Sequence, residues 1–289
     1  MLKITKEKIT ILIYAGAILT ITCNFFIHIE PIMICDPDDW TYISSVRFPI
    51  PIWKDWNPAK VLPENLMGIC GFFAAYVVYP ILGDYILSFT YVYALLTAVF
   101  ITVYIITLLF FVKKILGICT GASLICSFVA YLLHFLFMLH RGANNLFMFS
   151  AGDLNCFVNY TIPNLFCFVL AIYFVSRYLE NPCSLLIDES NSIFENTKYP
   201  IYLKSGVIIL LLYLSIFSNM VCNIIIMAPF IYMFCGILFN QIKLNGIRNL
   251  FSLSNIKRYA IFVYIFMLEI ICLVFEYNGG RSKSLDFGG

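Results

Sequence analysis

Long apolar stretches separated by short polar ones recur from one end of the chain to the other. The runs Ile9–Ile29, Tyr85–Val112, Leu116–Leu139, Thr161–Tyr178, Ile201–Ser218, Met220–Phe239 and Tyr259–Phe275 each reach the roughly 17–25 apolar residues that carry a helix across a hydrocarbon core. Ile201 to Phe239 is 39 residues, nearly 60 Å as one helix, so it predicts a tight hairpin turning near Asn219. The first run is too long for a secretory leader and has no small-residue cleavage site, so it reads as the first spanning helix. Leu66–Leu82 is the exception. Its 17 residues make only about 25 Å of helix, and Pro80 and Gly83 end it, so the segment 66–84 is expected to be an embedded hairpin that does not cross. The expected fold is all-α: one polytopic transmembrane helical bundle over 1–289, with about seven crossings.

Composition agrees with the pattern. The chain is 62% hydrophobic and 12% charged with a mean hydropathy of +0.91, whereas a soluble domain is roughly 45–50% apolar and about 25% charged. A set of 28 Phe and 19 Tyr is too much apolar surface for a disordered chain, and a net charge of +2 offers no field for nucleic acid. Most cysteines lie inside apolar runs, where a thiol behaves as a small hydrophobe, and none shows C-x-x-C spacing. Cys35 and Cys156 fall in loops on one side, as two free thiols or a pair.

The basic residues set the orientation. With Leu66–Leu82 embedded and the N-terminus inside, Lys3, Lys6, Lys8, Lys113, Lys114, Arg177, Lys198, Lys204, Lys243, Arg248, Lys257 and Arg258 are cytoplasmic. That is twelve of the eighteen, as the positive-inside rule demands. A crossing Leu66–Leu82 with the N-terminus outside gives the same split. Lys3, Lys6 and Lys8 against the first helix decide for the N-terminus inside and the C-terminus outside.

Two outer loops then concentrate the polar residues. Residues 30–65 hold Asp36, Asp38, Asp39 and all three tryptophans, Trp40, Trp53 and Trp56, which predicts a segment lying on the membrane surface. Residues 140–160 hold His140, Arg141, Asn144 and Asn145. The inner loop 179–200 is polar and featureless. Adjacent carboxylates raise each other's pKa, so Asp38 and Asp39 suit a general base; a solvated loop cluster or a helix cap is the alternative. Arg141 suits a bidentate phosphate contact and the asparagines suit sugar hydroxyls, the alternative being a headgroup-binding arginine. Glu269 lies deep in a span, where a charge costs about 2.5–3.5 kcal/mol, and Glu276 is two turns on, toward Gly279, Gly280 and Arg281. A protonated Glu269 bonded to a neighbouring Tyr or Asn is the alternative. His134 reads as a satisfied interhelical residue, and the sequon at Asn159 as chance.

The texture of Arg47-Phe48-Pro49, of Trp56-Asn57-Pro58-Ala59-Lys60-Val61-Leu62-Pro63-Glu64, of Tyr79-Pro80-Ile81-Leu82-Gly83-Asp84-Tyr85 and of Phe275-Glu276-Tyr277-Asn278-Gly279-Gly280-Arg281 resembles Gtr-type O-antigen glucosyltransferases of bacterial inner membranes. These are GT-C class membrane glycosyltransferases, and the resemblance spans most of the chain. It implies a polyprenyl-phosphate sugar donor and a lipid-linked or surface glycan acceptor such as lipopolysaccharide O-antigen, with inverting transfer at the outer leaflet. It further implies Asp38 or Asp39 as base, and Arg141, Arg281 and His140 at the leaving phosphate. Trp40, Asn144, Asn145 and Glu276 would hold sugar or acceptor. Membrane lipids, a lipid-sugar synthase and a flippase are the implied partners; no organic cofactor is expected, and the outer carboxylates could serve as base or as ligands of a divalent cation. Family members usually continue further, whereas this chain stops eight residues after Arg281, which points to a short or truncated member. The alternative functions are a membrane transport or flippase component, or a structural partner of an envelope glycan enzyme.

Overall fold

The computed structural model describes residues 6–34, 37–44, 60–136, 153–180, 201–246 and 253–278. These residues are all-α apart from a single backbone bridge between Met33 and Asp153. The elements are α1 (Lys6–Asn24), α2 (Pro37–Ile43), α3 (Val61–Phe73), α4 (Tyr79–Leu82), α5 (Tyr85–Leu116), α6 (Thr120–Leu136), α7 (Leu154–Cys156), α8 (Ile162–Glu180), α9 (Ile201–Ile216), α10 (Asn223–Asn245) and α11 (Leu253–Asn278). Wide π turns at Phe25–Ile29, Ala74–Val78 and Phe157–Thr161 extend α1, join α3 to α4, and join α7 to α8. Six of the resulting helices are long and apolar enough to cross a membrane, and the protein is a polytopic integral membrane protein. Two expected spans are shorter in the described residues: α6 has 17 residues and α9 has 16.

Contacts between side chains fix the helix directions. Glu7 accepts from Lys113 and, at 2.9 Å, from Thr120, while Thr22 bonds Tyr131 at 2.8 Å, so α5 runs against α1 and α6 runs with it. Phe26 meets Phe157 edge-on and Lys114 pairs with Glu180, so α8 runs with α5. Ser215 faces Cys167 while Asn219 reaches Asn159, which turns α9 back along α8. Cys222 near Tyr160 and Gly236 against Tyr178 align α10 with α8. Tyr264 at Ile209 and Cys272 at Ile216 align α11 with α9. The bundle therefore has two poles. One holds Lys6, Lys8, Lys113, Lys114, Arg177 and Lys243; the other holds Glu30, Asp39, Glu64, Asp84, Asp153 and Glu276.

Helix α5 is the hub, and its buried face shows why. Thr90, Ala94, Thr97, Ala98, Ile101, Ile105 and Leu109 recur at helical spacing, and the small members let α1 and α8 approach closely. Between helices in lipid such packing, rather than hydrophobic transfer, supplies the attraction. The Asp84 side chain caps α5 by accepting from Leu87 N at 3.0 Å, after Gly83 turns the chain at φ 73°; Gly117 ends the helix at φ 61° behind Lys113 and Lys114.

The segment expected to be an embedded hairpin is a helical rod, Val61–Leu82, and at 22 residues it is long enough to span. The length argument behind the expectation is thus overturned, because the helix begins five residues earlier, inside what reads as a loop. Its placement is a separate matter. Val61 N donates to Phe217 O at 3.0 Å in the α9–α10 turn, and Leu82 leads through Gly83 straight into the capped start of α5. Both ends of the rod lie at the acidic pole. The outer loops are likewise shorter than expected, since α2, the start of α3 and residues 154–160 are helical.

Helix α2 sits on the rod at Gly71. A Cβ there would meet Ile43 Cγ2 at 2.5 Å and Ile43 O at 2.9 Å, both on a tightly held element. Gly71→Val is expected to lower stability by about 1–3 kcal/mol, as overpacking does; thermal unfolding in detergent followed by tryptophan emission checks it, because Trp40 rides on α2.

Candidate functional site at the acidic pole

Proline positions shape this pole. Pro163 has no N–H to give the carbonyl four residues back, which is that of Asn159. The Asn219 amide donates to that carbonyl instead, at 2.7 Å, and Asn219 Oδ1 accepts from Val221 N at 2.9 Å. One asparagine in the α9–α10 turn thereby ties the loosened start of α8 to the neighbouring hairpin. Pro80 stands in the same relation to Tyr76, within the second π turn. Such turns recur at functional sites.

Asp39 is fully buried on α2. Beside it Trp40 is exposed and lies parallel to the Tyr85 ring at 6.4 Å, with Phe89 at a similar distance. Tyr93, buried on α5 one turn past Phe89, donates its hydroxyl to Met67 O at 2.7 Å and stands within electrostatic reach of Asp39. Glu64, three residues before Met67, is 3% exposed and shares the buried face of α3 with Val61, Met67 and Gly71. Two buried carboxylates, Asp39 on α2 and Glu64 on α3, thus lie on neighbouring helices at this pole. Glu64 reads as a loop residue from the sequence. What could have marked it is the acidic residue beside Pro63 in a first helical turn, where the helix dipole favours a carboxylate.

Thr90 donates to Ile32 O at 3.1 Å, Leu154 N to Met33 O at 3.2 Å, and Asp153 caps α7 by accepting from Asn155 N at 2.9 Å. These bonds fasten the segment between α1 and α2 to α5 and α8. Glu269, expected deep in a span, stands beside the α9–α10 turn and accepts from Asn223 Nδ2 at 2.9 Å; the same amide donates to Ile216 O at 2.9 Å. Glu276 lies two turns on along α11, half-buried.

The structure therefore puts Asp39, Trp40, Glu269 and Glu276 at one pole. The Asp38 side chain, together with His140, Arg141, Asn144, Asn145, Arg281, Trp53, Trp56 and Cys35, lies outside the described residues. His134 bonds Ala130 O at 2.6 Å and Tyr104, and the Asn159 of the sequon is buried. Among the described residues no three His, Cys, Asp or Glu side chains are placed to hold a metal ion. No protein-family profile, no curated protein and no solved structure matches this chain.

Proposed function

We propose that this chain is a GT-C-like inverting glycosyltransferase of a bacterial inner membrane, moving a hexose, glucose in the first instance, from polyprenyl phosphate to a lipid-linked or surface glycan such as O-antigen. The observation that carries the reading is the buried Asp39 on a short helix, flanked by an aromatic stack and set at the pole that holds most of the described acidic residues. The basic pole faces the cytoplasm by the positive-inside rule. Seven helices then cross, α1, α5, α6, α8, α9, α10 and α11, with the N-terminus inside and the end of α11 outside. The rod α3–α4 rests in the outer leaflet.

In this scheme the acceptor hydroxyl oxygen forms the new bond to the anomeric carbon as the bond from that carbon to the phosphate oxygen breaks. Asp39 takes the hydroxyl proton. Polyprenyl phosphate leaves with its charge opposed by Arg141, Arg281 and His140. The Trp40 face offers a platform for a sugar ring. A transport or flippase path would distribute polar residues through the bundle midplane, whereas here most of the described charged residues lie toward the two poles, with Glu7 and Glu180 paired to lysines at the basic one.

The test is direct. Protein reconstituted in liposomes with polyprenyl-phosphate [14C]glucose and an O-antigen acceptor is expected to move label into the glycan. If neither the glucose donor nor its galactose and mannose counterparts yields labelled glycan, the reading is wrong.

A further inference from the structure

The pole opposite the candidate site carries a charge pattern that the sugar-transfer scheme does not use. To the basic residues already placed there, the starts of α9 and α11 add Lys204, Lys257 and Arg258. Among the described residues at this end only Glu7 and Glu180 oppose them. Both acids are engaged: Glu7 holds Lys113, and Glu180 holds Lys114, with Arg177 at 3.9 Å. Lys113 and Lys114 are thereby turned toward neighbouring helices, one to α1 and the other to α8.

Lys6, Lys8 and Lys243 are different. Each is exposed and pairs with no carboxylate of the described residues. Each also shares its helix face with a large exposed hydrophobe, since residues three or four apart lie one above the other. Lys8 stands four before Leu12, which is 73% exposed; Lys6 stands three before Ile9, and Lys243 follows Phe239 by four. On α1 the hydrophobe comes after the lysine and on α10 before it. Because α1 starts at this pole and α10 ends there, both arrangements are the same in space: the cation at the end of the bundle, bare hydrocarbon one turn nearer its middle.

That order narrows the partner. A nucleic acid, an acidic protein or a free phosphate would meet the lysines from the aqueous side and make no use of their apolar neighbours. A phospholipid takes both, its phosphate on the ammonium group and its acyl chain beneath, along a lysine stem that is itself apolar. A zwitterionic headgroup brings its own cation to the phosphate, so surplus positive charge on the protein selects an anionic one.

We propose that the basic pole is a docking surface for anionic phospholipid, with headgroup phosphates set against Lys6 and Lys8 on α1 and against Lys243 on α10, and acyl chains on Ile9, Leu12 and Phe239. The proposal rests on no part of the transferase reading.

Protein reconstituted in phosphatidylcholine bilayers with a trace of spin-labelled lipid tests it. Electron paramagnetic resonance is expected to show labelled phosphatidylglycerol held about threefold or more over labelled phosphatidylcholine in the motionally restricted fraction. About 1 M salt should bring the two lipids close to parity, because these cations are exposed and screened. Joint replacement Lys6→Gln, Lys8→Gln and Lys243→Gln should remove about half or more of the excess, whereas Gly206→Ala, on open helix surface, leaves it unchanged. Equal association of the two lipids, a preference indifferent to salt, or one that the triple variant keeps in full overturns the proposal. Displacement of the labelled lipid by excess glycerol phosphate overturns it too, by making the site one for a free anion. Should the triple variant fail to fold, K8Q and K243Q singly decide, together with the salt titration. Lipid preference without sugar transfer keeps this surface and removes the transferase reading, and transfer without lipid preference does the reverse.

Discussion

Asp39→Asn is expected to cut sugar transfer by about 10²–10⁴-fold, the range a positioned general base contributes, while leaving the protein folded. Asparagine has nearly the volume of aspartate and keeps a carbonyl oxygen in place, so the seat of α2 on Gly71 and the Trp40–Tyr85 stack should persist. What it cannot do is accept the acceptor's proton. Asp39→Ala is the poorer experiment, because it removes buried atoms and confounds a lost base with a loosened helix. Two companion variants sharpen the result. Asp38→Asn tests the neighbouring carboxylate that the sequence offers as an equal. Glu64→Gln tests the second buried carboxylate at this pole, which only the structure brings forward. If E64Q silences transfer and D39N does not, the base moves one helix over to α3. If neither Asp variant nor E64Q alters glycan modification, this pole is not where acid–base chemistry happens.

What could be read from the sequence, and what could not, follows from the period of the information. Spanning helices announce themselves over about 20 residues of unbroken apolarity, so α1, α5, α8, α10 and α11 are visible from composition alone, and the hairpin at Asn219 follows from chain length against bilayer thickness. Asp39 and Trp40 stand out in the sequence because an acidic run and a tryptophan follow the first apolar helix, and tryptophan favours the membrane boundary. Glu64 does not, since Pro58 and Pro63 around it read as loop and only the fold shows a helix beginning at Val61. The contacts of Asn219 and Asn223 escape for a different reason. Each asparagine sits singly in apolar surroundings, and nothing local reveals that the carbonyl freed by Pro163 is answered 60 residues away by Asn219. The same holds for Glu269, whose depth along α11 says nothing of the turn beside it until α9 and α10 are packed against it.

The rod Val61–Leu82 carries the second large effect, an all-or-none change of side. Twenty-two apolar residues are enough to cross, and hydropathy alone makes this a span like the others. Contacts oppose that assignment. Val61 is bonded to the turn that also holds Asn219, Tyr93 meets the rod at Met67, and Tyr79 touches Tyr85 across the Gly83 bend. Its first and last turns are thus at the same pole, on the outward face by the orientation above. Its solvent side fits such a position: Ile69, Phe72, Phe73, Tyr76, Ile81 and Leu82 are exposed, an apolar and aromatic face for the outer leaflet, while Val61, Glu64, Met67 and Gly71 face the bundle. Reporter fusions after Lys60 and after Asp84 are therefore expected to read the same side, external, with a fusion after Lys114 reading cytoplasmic. Opposite readings at Lys60 and Asp84 would make the rod an eighth crossing. That would force either the N-terminus or the end of α11 to change sides and would take Asp39 and Glu269 out of one compartment. Agreement between the two fusions, with Lys114 inside, keeps both carboxylates on the face where a lipid-borne sugar can reach them.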